Sequence, residues 1–218
     1  ALVMLVQFGN LGAHGDWSPR VVSFGGEVFP AKHLRELKRR WPRPVYYNMY
    51  GPTETSTTCT FARIPDVVPE DRDTPYPIGF PCGHCEALVL DESGRDVPAG
   101  EEGLLHISGP SVFAGYWNRP TETAAVFLER SGIRWYNTGD VVRWDPDEGF
   151  TYVGRRDRMV KRRGYRIELG EIERALYQHP QVSEAAVVSV PDPDAGVKIV
   201  AFVACRGTEA PSIIEMKT

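Results

Sequence analysis

The sequence predicts a mixed fold, an α/β layer followed by α+β architecture, and two changes of hydrophobic period along its 218 residues predict it. Near residue 56 a strand–helix–strand rhythm gives way to short alternating segments separated by turns, and near residue 168 a helical period returns, followed by two strands. Residues 20–24, RVVSF, read as a short buried strand ending at Gly25-Gly26. Residues 30–40 read as a helix: Pro30 suits the first turn, Leu34 and Leu37 share a face, and basic residues crowd the end. PVYYNMY is the next strand, which completes a parallel α/β unit. From 56 to 155 the segments EALVLD, GLLHIS, VVRW and FTYVG read as antiparallel strands, with one helix over 120–128. Beyond 168, Leu169, Ile172, Ala175 and Leu176 mark a helix face, and EAAVVSV and KIVAFVAC are strands. A boundary near Asp157 divides the chain into residues 1–156, with the α/β layer over about 1–60 and a β-rich part over about 61–156, and residues 157–218.

Composition narrows the function. Forty-two per cent hydrophobic residues suffice for a substantial core. A net charge of −4 and a pI near 5.8 give no general affinity for nucleic acid or membrane. No apolar run approaches transmembrane length, and no leader is recognisable. The four cysteines form no disulfide framework, which suits a cytoplasmic protein. Cys82-Gly83-His84-Cys85 has the spacing of a dithiol redox motif, but a strand pattern follows it where a reactive pair opens a helix. Cys59 and Cys205 are too distant in sequence to complete a four-ligand zinc spacing. The plain reading is a loop entering a strand. Both ends of the chain read as cuts through a larger protein.

Three stretches carry chemistry. In NMYGPTET, residues 48–55, Tyr50 ends a strand, Gly51-Pro52 turn the chain, and Thr53 and Glu54 follow. Ligands bind at strand ends in α/β sheets, and such a turn can present an aromatic face, a hydroxyl and a carboxylate together; an ordinary strand-to-loop turn is the competing reading. In WYNTGD, Asp140 offers two acceptor oxygens that suit adjacent ribose hydroxyls, although Asp after Gly is common in turns. In GRRDRMVKRRGYRIELGEIE, residues 154–173, seven basic residues fall between 155 and 166, which suits a solvated face, a nucleic-acid patch or an anionic nucleotide or phosphopantetheine group. Asp157, Glu168, Glu171 and Glu173 interrupt and follow that run.

Together YGPTE, GLLHISGPSVFAGYWNRP, YNTGD and GRRDRMVKRRGYRIELGEIE resemble the motifs of adenylate-forming enzymes, most closely the adenylation domains of nonribosomal peptide synthetases, over about residues 20–205. The resemblance implies the C-terminal part of the large adenylation core, with a β-barrel-like subdomain, and an incomplete small C-terminal domain. It implies ATP and Mg²⁺, and an amino acid or other small carboxylate activated as its adenylate. Transfer to the phosphopantetheine thiol of a carrier protein follows, without nucleic acid or membrane. By position, the backbone of Gly25, Gly26 and Glu27 would line the adenine pocket, Asn48 would bond the adenine edge and Tyr50 would stack on its face. Thr53 would contact the α-phosphate, Glu54 would hold Mg²⁺, and Asp140 would take both ribose hydroxyls with Arg155 nearby. Val22, Phe24, Met49, Thr57 and Thr58 would line the acyl pocket, where bulky Phe24 and Met49 favour a compact substrate. Asp157 matches the hinge of the small domain, and Gly164 the glycine of the pantetheine tunnel.

The sequence also departs from the family's pattern. GNLGAHGDW has glycines but neither the lysine nor the hydroxyl cluster of the phosphate loop, and neither Lys198 nor Lys217 has the neighbours of the C-terminal catalytic lysine. The chain by itself is therefore expected to be inactive. Acyl- or aryl-CoA ligase chemistry, and a non-catalytic nucleotide-binding fragment, are the alternatives to amino-acid activation.

Overall fold

The computed structural model describes residues 2–11, 18–72, 74–156, 159–162, 165–192 and 196–206. The chain divides into two compact units, Ala1–Arg156 and Asp157–Thr218.

The first unit opens with helix α1 (Leu2–Phe8). Strands β1 (Val21–Gly25) and β2 (Val45–Tyr50) are parallel, and helix α2 (Ala31–Arg40) connects them. Pro30 precedes α2 in extended conformation, and the last turn carries Lys38, Arg39 and Arg40, which complement the negative end of the helix dipole. Strand β1 alternates in burial: Val22 and Phe24 face inward and pack with Leu34, Leu37, Trp41 and Tyr46 in one core. The sheet continues antiparallel through β3 (Thr60–Arg63) and β4 (Phe80–Pro81), in the order β1-β2-β3-β4.

The β-rich part is an antiparallel sheet of β5 (Glu86–Leu90), β6 (Glu102–Ser108), β7 (Phe127–Arg130), β8 (Ile133–Asp145) and β9 (Gly149–Arg155). The long β8 pairs with β6 along one edge, and with β7 and then β9 along the other. A second core lies here, formed by Tyr50, Cys59, Ile78, Val89, Leu105, Ile107, Val142 and Phe150. Within the sheet the ladders run β5-β6-β8-β7, with β9 paired to β8. One expectation needs correction. The helix expected over 120–128 stops early: α3 is Pro120–Ala125, and Phe127 begins β7, where its ring stacks against Phe113. Tertiary packing of the aromatic residue overrides the helical pattern there.

In the second unit β10 (Met159–Arg162) and β11 (Tyr165–Glu168) form a hairpin. Sequence reading took this stretch as a basic run, because charge masks the alternation that buries Met159. Helix α4 (Leu169–Tyr177) follows, then the antiparallel pair β12 (Val182–Asp192) and β13 (Gly196–Cys205). Glu173 ties α4 to the sheet by accepting a 2.8 Å bond from the Val187 amide.

Candidate functional site

The C-terminal end of β2 runs straight into a tight loop. Gly51 is required there: a Cβ would approach the Thr57 carbonyl oxygen to 2.5 Å. Thr53–Thr55 make one 3₁₀ turn, and the chain leaves it through Ser56 and Thr57, both at positive φ (56° and 85°). A β-branched residue in that region is strained, and such strain is held only where the surroundings fix it. Here they do: the Cys59 amide donates to the Tyr50 carbonyl at 2.8 Å, and Ser56 Oγ donates to the Ser111 carbonyl at 3.0 Å.

Glu54 is buried by this winding. The Tyr116 hydroxyl donates to its Oε1 at 2.8 Å, and the Phe113 amide donates to its main-chain oxygen at 2.8 Å. Thr53 beside it is exposed. Tyr50 packs in the second core, and its hydroxyl donates to Asp140 Oδ2. Burial, first, and the Asp140 charge hold the Tyr50 phenol well above its ordinary pKa, so it stays a donor at all physiological pH. Arg155 Nη1 donates to Asp140 Oδ1 at 2.8 Å and to the Thr138 carbonyl at 3.1 Å. The β8–β9 register aligns the pair directly, Asp140 opposite Arg155.

The structure thus brings Tyr50, Asp140 and Arg155 into one bonded cluster, with Glu54 four residues beyond Tyr50. The Asp140 side chain is 2% exposed, and each of its oxygens accepts from a protein donor, because a buried charge settles on its nearest donors. Tyr50 is likewise buried, 7% exposed. Asn48 Nδ2 donates to the carbonyls of Tyr76 and Pro77 at 3.2 and 2.8 Å. At the end of β1, Gly25 lies against the Met49 carbonyl too closely to admit a side chain, Gly26 takes φ 83°, and Glu27 is exposed.

Of the residues expected to line the acyl pocket, Val22 and Phe24 lie in the helix-facing core, Phe24 4.7 Å from the ring of Phe29. Met49 and Thr58 are half-buried and Thr57 is exposed. Asp157 and Gly164 fall outside the described residues. The Cys82–Cys85 segment is a turn between β4 and β5, closed by a 2.8 Å amide–carbonyl bond and with no helix at its end. All four thiols are free, and burial, first, pushes Cys59 up to about 12 and raises Cys82. Thiols so protonated make poor nucleophiles.

Sequence reading missed Tyr116. Its segment, GYWNRP, was noted as part of a motif, but nothing in its spacing told that the ring reaches a carboxylate 62 positions earlier.

Among the described residues no group of three or more His, Cys, Asp or Glu is placed to hold a metal ion. No described helix is long and apolar enough to cross a membrane. A single carboxylate such as Glu54 would still suit Mg²⁺, which keeps several waters and is commonly bound through one or two carboxylates together with substrate phosphates.

Residues 2–117 match the family model described as AMP-binding enzyme, and residues 171–217 match the AMP-binding enzyme C-terminal domain. An L-proline–[L-prolyl-carrier protein] ligase of Streptomyces coelicolor is 44% identical over 205 residues, covering 92% of this chain and 37% of that protein. The enzyme of the same name from Pseudomonas fluorescens is 42% identical over 189 residues, covering 87% of the chain and 36% of that protein. The chain therefore spans little more than a third of the length of these relatives. The solved structure of the amide bond synthetase McbA from Marinactinospora thermotolerans superposes with a TM-score of 0.84 at 28% identity, over 99% of this chain and 42% of that one.

Proposed function

Because the chain belongs to the AMP-binding enzyme family, matched over residues 2–117, we propose that the protein carrying it activates an amino acid with ATP and transfers the acyl group to a carrier-protein thiol. A carboxylate oxygen attacks the α-phosphorus, the bond to the bridging oxygen of pyrophosphate breaks, and an acyl adenylate forms. The carrier thiolate then attacks the acyl carbon and AMP leaves. The single observation that carries this reading is the convergence of Tyr50, Glu54, Asp140 and Arg155 beside the end of β2.

This chain's residues contribute binding and charge placement. Asp140 binds the ribose hydroxyls and Tyr50 meets the adenine; Gly25, Gly26, Glu27 and Asn48 border the base. Arg155 stays hydrogen-bonded to Asp140 Oδ1. Thr53, exposed at the loop tip, bonds the α-phosphate. Glu54 holds Mg²⁺, which neutralises phosphate charge when bound. Asp157 serves as the hinge of the small domain, and Gly164 lines the path of the pantetheine thiol.

The names of the relatives and the bulk of Met49 support the same class of substrate, a compact amino acid, with L-proline the first to test. ATP–pyrophosphate exchange by the full-length protein across a panel of amino acids and simple acids decides. Exchange driven by one or a few compact amino acids is expected. Exchange driven only by acyl or aryl acids, with CoA as acceptor, replaces this reading by the ligase alternative. No exchange with any carboxylate overturns both.

A further inference from the structure

We propose that Tyr116 is a positioning residue for Glu54, and that the loop 109–117 is the clamp through which it acts. The inference rests on the reading of Glu54 as the Mg²⁺-holding carboxylate.

The loop grips Glu54 twice, by the Phe113 amide on its main-chain oxygen and by the Tyr116 hydroxyl on Oε1, each at 2.8 Å. A hydrogen bond to an ionised carboxylate is stronger and more directional than one between neutral groups. Held by Tyr116 at Oε1, the Glu54 carboxylate has a fixed orientation, and a carboxylate so oriented would suit Mg²⁺, which is commonly bound through one or two carboxylates together with substrate phosphates.

The clamp is itself held rigidly. The Phe113 ring packs edge-on against Tyr116 at 4.8 Å and Tyr136 at 5.4 Å, and stacks with Phe127 at 5.4 Å. The Arg134 guanidinium lies 3.4 Å from the Phe127 ring centre, and both its terminal nitrogens donate to the Ala114 carbonyl at 3.2 Å. The Tyr116 amide donates to Thr123 Oγ1 at 2.9 Å, tying the loop to α3. Gly115 permits this: a Cβ there would fall 2.6 Å from Thr123 Cγ2. Finally, Ser56, in the strained exit from the Glu54 turn, bonds the Ser111 carbonyl. Loop and turn therefore hold one another, and Tyr116 is the side chain through which the loop reaches the carboxylate.

The test uses the full-length protein with Tyr116→Phe, Glu54→Gln and the double variant. Tyr116→Phe keeps the ring that packs on Phe113, so folding is preserved and only the hydroxyl is lost. Two quantities are read: the Mg²⁺ concentration giving half-maximal pyrophosphate exchange, and the affinity for Mn²⁺, followed by its paramagnetic resonance signal with a non-hydrolysable ATP analogue bound. Tyr116→Phe should weaken both by about tenfold, equivalent to ~1.4 kcal/mol, while metal-free nucleotide affinity stays at the parental value. In the Glu54→Gln background the same change should have no further effect, since the two groups act as one unit. Unchanged metal dependence in Tyr116→Phe, with Glu54→Gln impaired, overturns the positioning role. Unchanged metal dependence in Glu54→Gln overturns the reading of Glu54 beneath it. A fall in melting temperature with equal loss of nucleotide affinity, with and without metal, assigns Tyr116 to structure alone and also overturns the proposal.

Discussion

Two arginine–carboxylate pairs on the same five-stranded sheet differ in everything but chemistry. At the site, Arg155 meets Asp140 through one 2.8 Å bond, with the two side chains 7% and 2% exposed. At the rim, Arg130 meets Asp96 through two bonds of 2.8 and 2.6 Å, with side chains 36% and 63% exposed. Bond length and count favour the rim pair. Burial favours the site pair, and burial decides. Water solvates and screens the rim pair and competes for its donors, whereas neither charge of the site pair can be left alone in a dry interior. The same carboxylate–guanidinium contact is thus a surface ornament in one place and a structural necessity in the other.

The largest expected effect comes from breaking the buried pair. Asp140→Ala removes the carboxylate that the buried Arg155 guanidinium meets and takes the acceptor from the Tyr50 hydroxyl. A loss of about 3–5 kcal/mol of unfolding free energy is expected, measured as a shift of the urea midpoint. A shift no larger than that of a rim variant would break the comparison, and would mean that solvent reaches Arg155 freely.

The contrast also bears on what the sequence could reveal. Strand β2, helix α2 and the strands around 86–108 were legible because local alternation and the ends of the helix are written in adjacent residues. Tyr50, Glu54 and Asp140 were legible as candidates because YGPTE and YNTGD are compact motifs. Their mutual bonds were not, since Tyr50 and Asp140 are 90 positions apart and only the folded register of β8 and β9 aligns them with Arg155. Tyr116 was hidden for the same reason. The β10–β11 hairpin was missed differently: its pairing is wholly local, but charged residues on both strands concealed the alternation that buries Met159. The early end of α3 was concealed too, because Phe127 is pulled into the aromatic cluster by Phe113 and Tyr136, which lie outside the helical pattern.

A buried phenol without a carboxylate partner sharpens the comparison; its ring carries the Lys38 ammonium 4.4 Å from its centre, which the Phe variant keeps. Tyr46 is fully buried in the first core, with its hydroxyl donating to the Trp41 carbonyl at 2.8 Å, and burial pushes its pKa up to about 12 from 10.0. Below about pH 10 both folded and unfolded states keep the proton, and its contribution is fully present. Between about 10 and 12 the unfolded phenol has lost the proton while the folded one retains it, so stability falls as pH rises through that window. Tyr46→Phe should therefore be less stable than the parent at pH 7, through the lost hydrogen bond, yet lose less on going to pH 11, by on the order of 1–2 kcal/mol. Parallel stability curves for the two proteins from pH 7 to 11 would show that the phenol titrates alike in both states.

The smallest effect is expected at the rim. Arg130→Ala removes both bonds to Asp96 and leaves a carboxylate that water solvates at once. Pairing with Arg130, first through its hydrogen bonds and then its charge, holds the Asp96 carboxyl below its ordinary pKa; its exposure returns most of that advantage to solvent. The urea midpoint of Arg130→Ala should match the parent within experimental scatter at physiological salt. At 1 M salt, where the screening length is about 3 Å, no difference should survive. The Asp140→Ala deficit should persist under the same conditions, since ions do not enter the interior that holds Arg155. Equal salt sensitivity of the two deficits would place both pairs in the same dielectric surroundings, and would remove the physical ground for treating the end of β2 as a preorganised, water-poor site.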